Sequence, residues 1–237
     1  MKEFTVIMPV YIVNEELLQL TKNAVESFGD VNLVVVDNNS SLGGGYLRSV
    51  SSTYIRNSEN LGFAKACNQG LVLARLGTYI CVFNNDIRLS PNWQGIAKEV
   101  FTGNDKVFSC HFRMLPYDEP FKFGDQTWYT GKERWCTGSQ LIFNKDQQLF
   151  LYDEQYLNSY EDWSLYKIIR DQGLMTAYTN KACFQHKDSS TQVLIPERVE
   201  NEKKNRELFK KQWGEYAEDL FARTYPEQMK EPWRPFP

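Results

Sequence analysis

Short runs of apolar and β-branched residues alternate with amphipathic segments along the first part of the chain. The runs typical of strands are residues 5–8, 33–36, 53–56 and 79–83. Between them, residues 15–28 and 63–76 carry apolar side chains at helical spacing, and Gly29 follows the first segment, as is common at a helix C-terminus. Because continuous apolar strands separated by helices are typical of sheets covered on both faces, the pattern predicts an α/β fold with a mostly parallel sheet.

The second part of the chain has a less regular pattern. The expected strands are residues 107–114, 137–143, 175–178 and 182–186. A helix is expected over residues 160–172, and residues 196–223 form a charge-rich helical stretch. Residues 115–135 are rich in proline, glycine and aromatic side chains, which predicts a long loop. The last residues, from 225 onwards, contain four prolines and predict an extended tail.

Polar residues directly follow the second and the fourth expected strands. Asp37 and Asn39 come after one strand, and Asn85 and Asp86 come after the other. Ligands of such sheets bind beyond the carboxyl ends of the strands, so these side chains are expected in one crevice. A plain turn is the alternative explanation of Asp86, since Asn and Asp are common in turns. As a ligand, its carboxylate would suit Mg²⁺ or Mn²⁺.

His186 ends the last expected strand, far along the chain from Asp86. A histidine at such a position is more often a partly buried structural residue than a metal ligand. If His186 binds the same cation as Asp86, a nitrogen donor beside oxygen donors favours Mn²⁺ over Ca²⁺.

Two expected helix starts carry further candidates. Glu161 and Asp162 begin one helix, where acids stabilise the positive end, but a carboxylate there could also act as a general base towards a hydroxyl. Asn60 is expected to cap the helix over residues 63–76, where Gly62 would let a nucleotide approach the helix start closely. The chain has neither a Gly-Lys-Ser/Thr motif nor G-x-G-x-x-G, which argues against a P-loop and a dinucleotide-binding fold.

Composition excludes several classes of protein. The 237 residues are 42% hydrophobic and 14% aromatic, which argues against a disordered chain. Lys and Arg number 27 and Asp and Glu 30, so the net charge of −3 argues against binding nucleic acid through bulk charge. No stretch approaches the ~18 apolar residues of a membrane span. The five cysteines form no C-x-x-C pair, which indicates neither zinc nor a disulfide framework, and we expect a cytoplasmic location.

Taken in order, these segments resemble the inverting family 2 glycosyltransferases with the GT-A fold, particularly the rhamnosyltransferase-like branch. The resemblance covers roughly residues 4–190 and rests on motifs in a fixed order and spacing. They are Pro-Val-Tyr, Val-Asp-Asn-Asn-Ser-Ser, Asn-Leu-Gly-Phe-Ala, Asn-Gln-Gly, Phe-Asn-Asn-Asp, Thr-Gly-Ser, Tyr-Glu-Asp-Trp-Ser-Leu and His186. One such motif would be weak evidence, whereas the ordered set is specific.

The resemblance implies a GT-A-type, Rossmann-like, mostly parallel sheet flanked by helices. It implies one domain over residues 1–195, with a nucleotide-binding half at about 1–115 and an acceptor half at about 116–195. Residues 196–237 would form a C-terminal helical extension and a proline-rich tail. The single domain is what the family pattern implies, whereas the helical extension and the tail follow from the charge-rich helical pattern and the four prolines.

The resemblance also implies roles for individual residues. Those expected at the nucleotide and donor sugar are Pro9, Val10, Tyr11, Asp37, Asn39, Asn60, Gly62, Asn68, Asn85, Gly138 and Ser139. Asp37 would contact the base, uracil or thymine. Asp86 and His186 would bind Mn²⁺ or Mg²⁺, and Asp162 would be the catalytic base, with Glu161 beside it. The chain departs from the family pattern at the positions of family acids, Asn84 and Ser164, and at residues 150–154.

The implied function is metal-dependent, inverting transfer of a sugar from a UDP- or dTDP-type donor to an acceptor hydroxyl. The acceptor would be a cell-surface polysaccharide or another glycan. Aromatic side chains of the loop 115–135 could stack on a sugar ring or a nucleobase, or could fold inward. The alternative acceptors are a hydroxymethylated DNA base or a protein. Basic residues that could then contact phosphate are Lys122, Lys132, Arg134 and those near 203–211.

Two other classes of protein fit parts of the pattern. A nucleotidyltransferase would carry a glycine-rich basic loop after the first strand, where this chain has Tyr11-Ile12-Val13-Asn14, which argues against that class. A sugar-nucleotide-binding protein that has lost catalysis stays open, because Asn84 and Ser164 replace expected acids. Donor hydrolysis that requires Mn²⁺ would distinguish an enzyme from such a protein.

Overall fold

The computed structural model describes residues 2–74, 79–130, 140–144, 151–187, 190 and 194–217. Gly138 and Ser139, predicted at the donor sugar, lie outside the described residues, as do Lys132 and Arg134. The helices are α1 (Glu15–Phe28), α2 (Gly44–Val50), α3 (Phe63–Leu73), α4 (Trp93–Gly103), α5 (Glu161–Asp171) and α6 (Arg198–Trp213). No helix in these ranges is long and apolar enough to cross a membrane.

The described strands form one nine-stranded sheet. They are β1 (Phe4–Val10), β2 (Asn32–Asp37), β3 (Thr53–Arg56), β4 (Tyr79–Phe83), β5 (Ile87–Leu89), β6 (Val107–Pro116), β7 (Thr127–Thr130), β8 (Gln140–Asn144) and β9 (Met175–His186). Their order is β3-β2-β1-β4-β8-β6-β9-β5, and β7 pairs with β9. β1 to β4 are mutually parallel, while β8 runs antiparallel between β4 and β6. The predicted α/β class with a sheet flanked by helices is confirmed.

Alternate side chains of β1 enter two separate cores. Val6 and Met8 pack in the core that contains Phe28 of α1 and Trp93 of α4. Ile7 points to the opposite core, which contains buried residues of α3 and α5. All seven residues of β1 are buried, as an unbroken apolar strand in a sheet covered on both faces requires.

Gly70 brings α3 close to β1. A Cβ atom on Gly70 would lie 2.3 Å from Ile7 Cγ2, inside the side chain of a fully buried neighbour. Only a residue without a side chain permits this approach. The contact fixes the position of α3, and therefore of the helix start at Phe63, relative to the sheet.

Several elements differ from the expectation from sequence. β7 lies within the expected loop 115–135, and the two short strands expected at 175–178 and 182–186 are the single strand β9. The polar residues between them stay in the sheet because neighbouring segments satisfy them. Asn180 O and Oδ1 accept hydrogen bonds from Gly124 N and Gln126 N at 2.8 and 2.9 Å.

Three elements have no counterpart in the sequence prediction. α2 begins within the glycine run 43–45, and it is anchored by the fully buried Leu47. β5 has three residues, too few for a periodic pattern, and it is stabilised by pairing with β9. α4 follows directly and buries Trp93 and Phe101 in the same core as α1.

Candidate active site

The carboxyl ends of the parallel strands meet at one edge of the sheet. Val10 at the end of β1 pairs with Asp37, which in turn pairs with Arg56 at the end of β3. β9 ends at His186, and its antiparallel neighbour β5 starts at Ile87, the residue paired with His186. The topology therefore brings the predicted nucleotide, donor and metal residues that end these strands to one edge.

Asp86 and His186 lie side by side at this edge. Asp86 is 4% exposed, and its Oδ1 lies 3.3 Å from His186 Nε2. Asp86 Oδ1 accepts no hydrogen bond, whereas Oδ2 accepts one from Ser190 Oγ. The Oδ1 of Asn84, two residues earlier, is also buried without a hydrogen-bond partner. The pairing of Ile87 with His186 explains why residues so distant in sequence meet.

This pair fits a divalent cation. Asp86 Oδ1 and His186 Nε2, 3.3 Å apart, are near enough to bind the same ion, and a nitrogen donor beside an oxygen donor would suit Mn²⁺. A buried carboxylate oxygen without a donor is an incomplete site, which a cation would complete. Within the described residues, no third His, Cys, Asp or Glu joins the pair. Substrate phosphates and water commonly supply the remaining ligands of Mg²⁺.

The carboxylate of Asp37 is held by protein donors. Its side chain is fully buried and accepts hydrogen bonds from Ser40 N, Tyr54 Oη and Arg56 Nη1. Arg56 Nη2 also donates to Asn39 Oδ1 at 3.2 Å and to Ser40 O at 2.9 Å. The exposed polar groups at this strand end are therefore those of Asn39 and Arg56. A direct contact of Asp37 with a nucleobase stays a prediction.

Neither Tyr54 nor Arg56 is among the residues predicted from sequence. Their contact with Asp37 is revealed only by the register of β2 and β3, which pairs Asp37 with Arg56. The available signal is weak: an arginine that ends an expected parallel strand next to the strand that Asp37 ends.

The expected cap of α3 is wrong in one respect. Asn60 Oδ1 accepts from Gly62 N at 3.0 Å, but the first residue of the helix, Phe63, donates its N–H to Asn158 Oδ1 at 3.1 Å. Gly62 has φ of +84°, a conformation that favours glycine, and its carbonyl accepts from Asn38 Nδ2 at 3.1 Å. The start of α3 is therefore tied both to the end of β2 and to the segment before α5.

The remaining predicted donor-side residues differ in exposure. Pro9 and Val10 are buried in the sheet, and Tyr11 is half-buried at its edge. The Asn68 side chain bonds Tyr152 N and O at 2.8 and 2.9 Å, so it holds the segment before α5. Asn85 Nδ2 donates to Thr21 Oγ1 of α1 at 2.9 Å. Asn68 and Asn85 thus make structural contacts, and their predicted contact with a nucleotide is not tested.

Glu161 and Asp162 begin α5 in different environments. Asp162 is half-buried, and its Oδ1 accepts from Trp163 N at 2.9 Å. Glu161 is 7% exposed, and its Oε2 is buried without a hydrogen-bond partner. Burial, followed by the charge of Asp162, raises the pKa of Glu161 to about 8. Glu161 therefore keeps its proton at neutral pH.

Comparisons with known proteins identify the family from the sequence and the fold from solved structures. A sequence model of the family described as Glycosyl transferase family 2 matches residues 5–170. The fold is similar to that of S. aureus TarS 1-349, with a TM-score of 0.59 and 14% identity over 95% of this chain and 76% of that one. TarS 1-349 is also known in complex with UDP and with UDP-GlcNAc. No protein of curated function matches in sequence.

Two further structures share the fold. Mannosyltransferase PcManGT from Pyrobaculum calidifontis, in complex with GDP-Man and Mn²⁺, has a TM-score of 0.65 and 16% identity, covering 94% of this chain and 69% of that one. GalNAc-T7 with UDP, GalNAc and Mn²⁺ has a TM-score of 0.66 and 11% identity. That comparison covers 93% of this chain, which spans half of GalNAc-T7. Identities this low establish a shared fold.

Proposed function

This chain belongs to glycosyl transferase family 2 and is a glycosyltransferase, and we propose that it transfers a sugar from a nucleoside diphosphate sugar to an acceptor hydroxyl with inversion. The observation that carries the proposal is the approach of Asp86 Oδ1 to His186 Nε2, 3.3 Å apart at the carboxyl edge of the sheet. Such an edge is where ligands of α/β sheets bind. In the proposed site, Asp37 lies where the nucleotide base binds, and Asp162 is the catalytic base.

The proposed cation is Mn²⁺ or Mg²⁺, held by Asp86 and His186. When bound, it would neutralise the negative charge that develops on the leaving diphosphate. Support comes from the buried Oδ1 of Asp86, which accepts no hydrogen bond, and from the Mn²⁺ in the structures of GalNAc-T7 and PcManGT.

The proposed donor is linked to UDP or dTDP. The complexes of TarS 1-349 with UDP and UDP-GlcNAc support a uridine nucleotide. On this chain, Arg56 and Asn39 carry the exposed polar groups next to the end of β2. The exposed guanidinium of Arg56 donates hydrogen bonds to Asp37, Asn39 and Ser40 and also interacts with the Tyr54 hydroxyl, and an N–H group that these partners leave free would donate to a carbonyl oxygen of a pyrimidine.

Asp162 is the proposed base. Its carboxylate accepts the proton of the acceptor hydroxyl while the hydroxyl oxygen forms a bond to the anomeric carbon and the bond from that carbon to the diphosphate breaks. Attack opposite the leaving group inverts the anomeric centre. Glu161 is unsuited to this role at neutral pH, because burial raises its pKa to about 8 and its carboxyl group keeps its own proton.

The proposed acceptor is a cell-surface polysaccharide or another glycan. A DNA-base acceptor would need a basic surface to contact phosphates. Of the basic residues considered for that role, Lys122 pairs with Glu119 and Lys204 pairs with Glu200, so both charges are partly neutralised within the protein. Lys122 and Lys204 therefore add no support for a DNA acceptor.

The test is turnover of a panel of UDP-, dTDP- and GDP-sugars with Mn²⁺, measured as release of the nucleoside diphosphate. One donor should be turned over with Mn²⁺ and not with EDTA. Asp162→Asn should lower turnover by roughly a hundredfold or more while donor binding persists. Asp105→Asn is the control, since Asp105 is exposed just before β6 at the opposite edge of the sheet. Full turnover by Asp162→Asn would refute the assignment of the base.

A further inference from the structure

The segment 157–160 connects the two halves of the proposed site. Asn158 and Tyr160 have φ of +58° and +70°, in the left-handed region that residues with side chains rarely adopt. The side chain of Asn158 holds the start of α3 through Phe63 N. Tyr160 directly precedes Glu161 and Asp162. The conformation of this short segment therefore sets both the nucleotide-side helix start and the position of the proposed base.

The side chain of Asn205 in α6 holds the backbone of this segment. Asn205 is 3% exposed, and its Nδ2 donates to Leu157 O at 3.0 Å, to Ser159 O at 3.0 Å and to Ser159 Oγ at 2.8 Å. Its Oδ1 accepts from Leu157 N at 3.4 Å. The Asn205 amide thus binds the backbone on both sides of Asn158.

The small buried face of α6 packs against this segment. The buried residues of α6 are Asn205 and Phe209, and the rest of the helix is strongly charged. The ring of Phe209 lies 6.4 Å from that of Tyr156 and 5.9 Å from that of Tyr160, between centroids. Both buried residues of α6 therefore contact the chain that leads into α5. The match to the family ends at residue 170, so this support comes from beyond the matched region.

We propose that Asn205 is a positioning residue for sugar transfer. Its amide keeps residues 157–159 in the conformation that places Asn158 at the start of α3 and Asp162 at the start of α5. The inference rests on the proposed function, because it assigns Asn205 an effect through the donor site and the base. Asn205 itself touches neither substrate nor cation in this assignment.

Removing the amide should change two kinetic constants together. In Asn205→Ala, the backbone groups of Leu157 and Ser159 lose their partners and the left-handed residues lose their restraint. We expect kcat to fall about tenfold and the donor KM to rise severalfold, as is common for residues that control a hinge. Asn205→Asp keeps the shape but turns an anion towards two carbonyl oxygens, so its loss should be at least as large.

Matched variants distinguish a loss of protein stability from a loss of correct positioning of the site residues. Phe101→Leu in α4 opens a small cavity in the core that contains Phe28 and Trp93, away from α6. It should lower the melting temperature without changing kcat or KM. Lys203→Ala changes an exposed position of α6 itself. All rates are measured well below the melting temperature of each variant. A purely structural role of Asn205 would give the Phe101→Leu result: a lower melting temperature with wild-type kcat and KM, which would overturn the proposal.

Two further measurements test the inference if the first variant does not fold or if the wild type shows no turnover. If Asn205→Ala does not fold, Asn205→Ser, which keeps a smaller polar side chain, should still show a reduced kcat; wild-type constants for it would overturn the proposal. If the wild type turns over no nucleotide sugar, the proposed function fails, and hydrogen exchange decides the inference instead. The Phe63 amide, capped by Asn158, should then exchange faster in the Asn205 variant than in the wild type, and unchanged exchange would overturn the proposal.

Discussion

Replacing Glu161 by glutamine tests the electrostatic difference between the two acids of α5. Glu161 is 7% exposed, and its Oε2 has no hydrogen-bond partner. Burial and the neighbouring Asp162 raise the pKa of Glu161 from 4.5 to about 8. Glutamine has nearly the same shape and does not titrate. The substitution therefore removes the titration and leaves the packing almost unchanged.

The sign of the effect follows from proton binding. Between pH 4.5 and about 8, Glu161 ionises in the unfolded chain but stays protonated in the folded protein. The folded state then binds more protons, so the free energy of unfolding falls as pH rises through this window. Each pH unit corresponds to about 1.4 kcal/mol. From pH 5.5 to 7.5, the wild type should lose roughly 2–3 kcal/mol that the Glu161→Gln variant does not lose.

The assay is urea unfolding of both proteins at pH 5.5 and at pH 7.5, followed by tryptophan fluorescence. The variant should gain stability relative to the wild type between the two pH values, by an amount of this order. Glu202→Gln on the exposed side of α6 is the control, and its difference from the wild type should not depend on pH. A pH-independent difference for Glu161→Gln would show that Glu161 titrates normally and would refute the reasoning.

Two further substitutions test local contacts. Gly70→Ala should destabilise the protein by about 1–3 kcal/mol, because the new Cβ would lie 2.3 Å from Ile7 Cγ2. The matched control is Gly45→Ala in α2, where a new Cβ would meet no atom within 4 Å. Equal melting temperatures for the two variants would contradict the predicted clash at Gly70. Arg56→Ala should lower stability, because the buried Asp37 carboxylate loses an ion-pair partner, and the 38% exposure of the arginine limits the loss. Urea unfolding measures this loss, and the double variant with Asp37→Asn should lose less than the two single variants together.

The parallel part of the fold is predictable from sequence because three of its four strands, β1, β2 and β4, are almost entirely buried. Each of these strands contains a continuous apolar run, which is typical of a sheet covered on both faces. β9 is not predictable as one strand, because the polar residues in its middle are stable only when Gly124 and Gln126 bond to Asn180. Local patterns cannot reveal partners that distant segments supply.

The candidate site likewise has features that the local sequence predicts and features that depend on distant residues. Asp86 and His186 follow from their places at strand ends, and their contact needs only the pairing of β5 with β9. The cap of α3 could not be assigned, because Asn158 lies 95 residues from Phe63 and no local signal connects them. The donors around Asp37 likewise depend on the register of β2 and β3. Residue types indicate the chemistry, whereas tertiary contacts decide which neighbours take part.

Calorimetric titration of the protein with UDP, with and without Mn²⁺, tests the central claim most directly. The wild type should bind UDP more tightly when Mn²⁺ is present. Asp86→Asn and His186→Asn should each weaken binding in Mn²⁺ by at least tenfold, about 1.4 kcal/mol, while Asp105→Asn binds as the wild type does. If both site variants keep the full effect of Mn²⁺ on UDP affinity, Asp86 and His186 do not bind the cation and the proposed site is wrong.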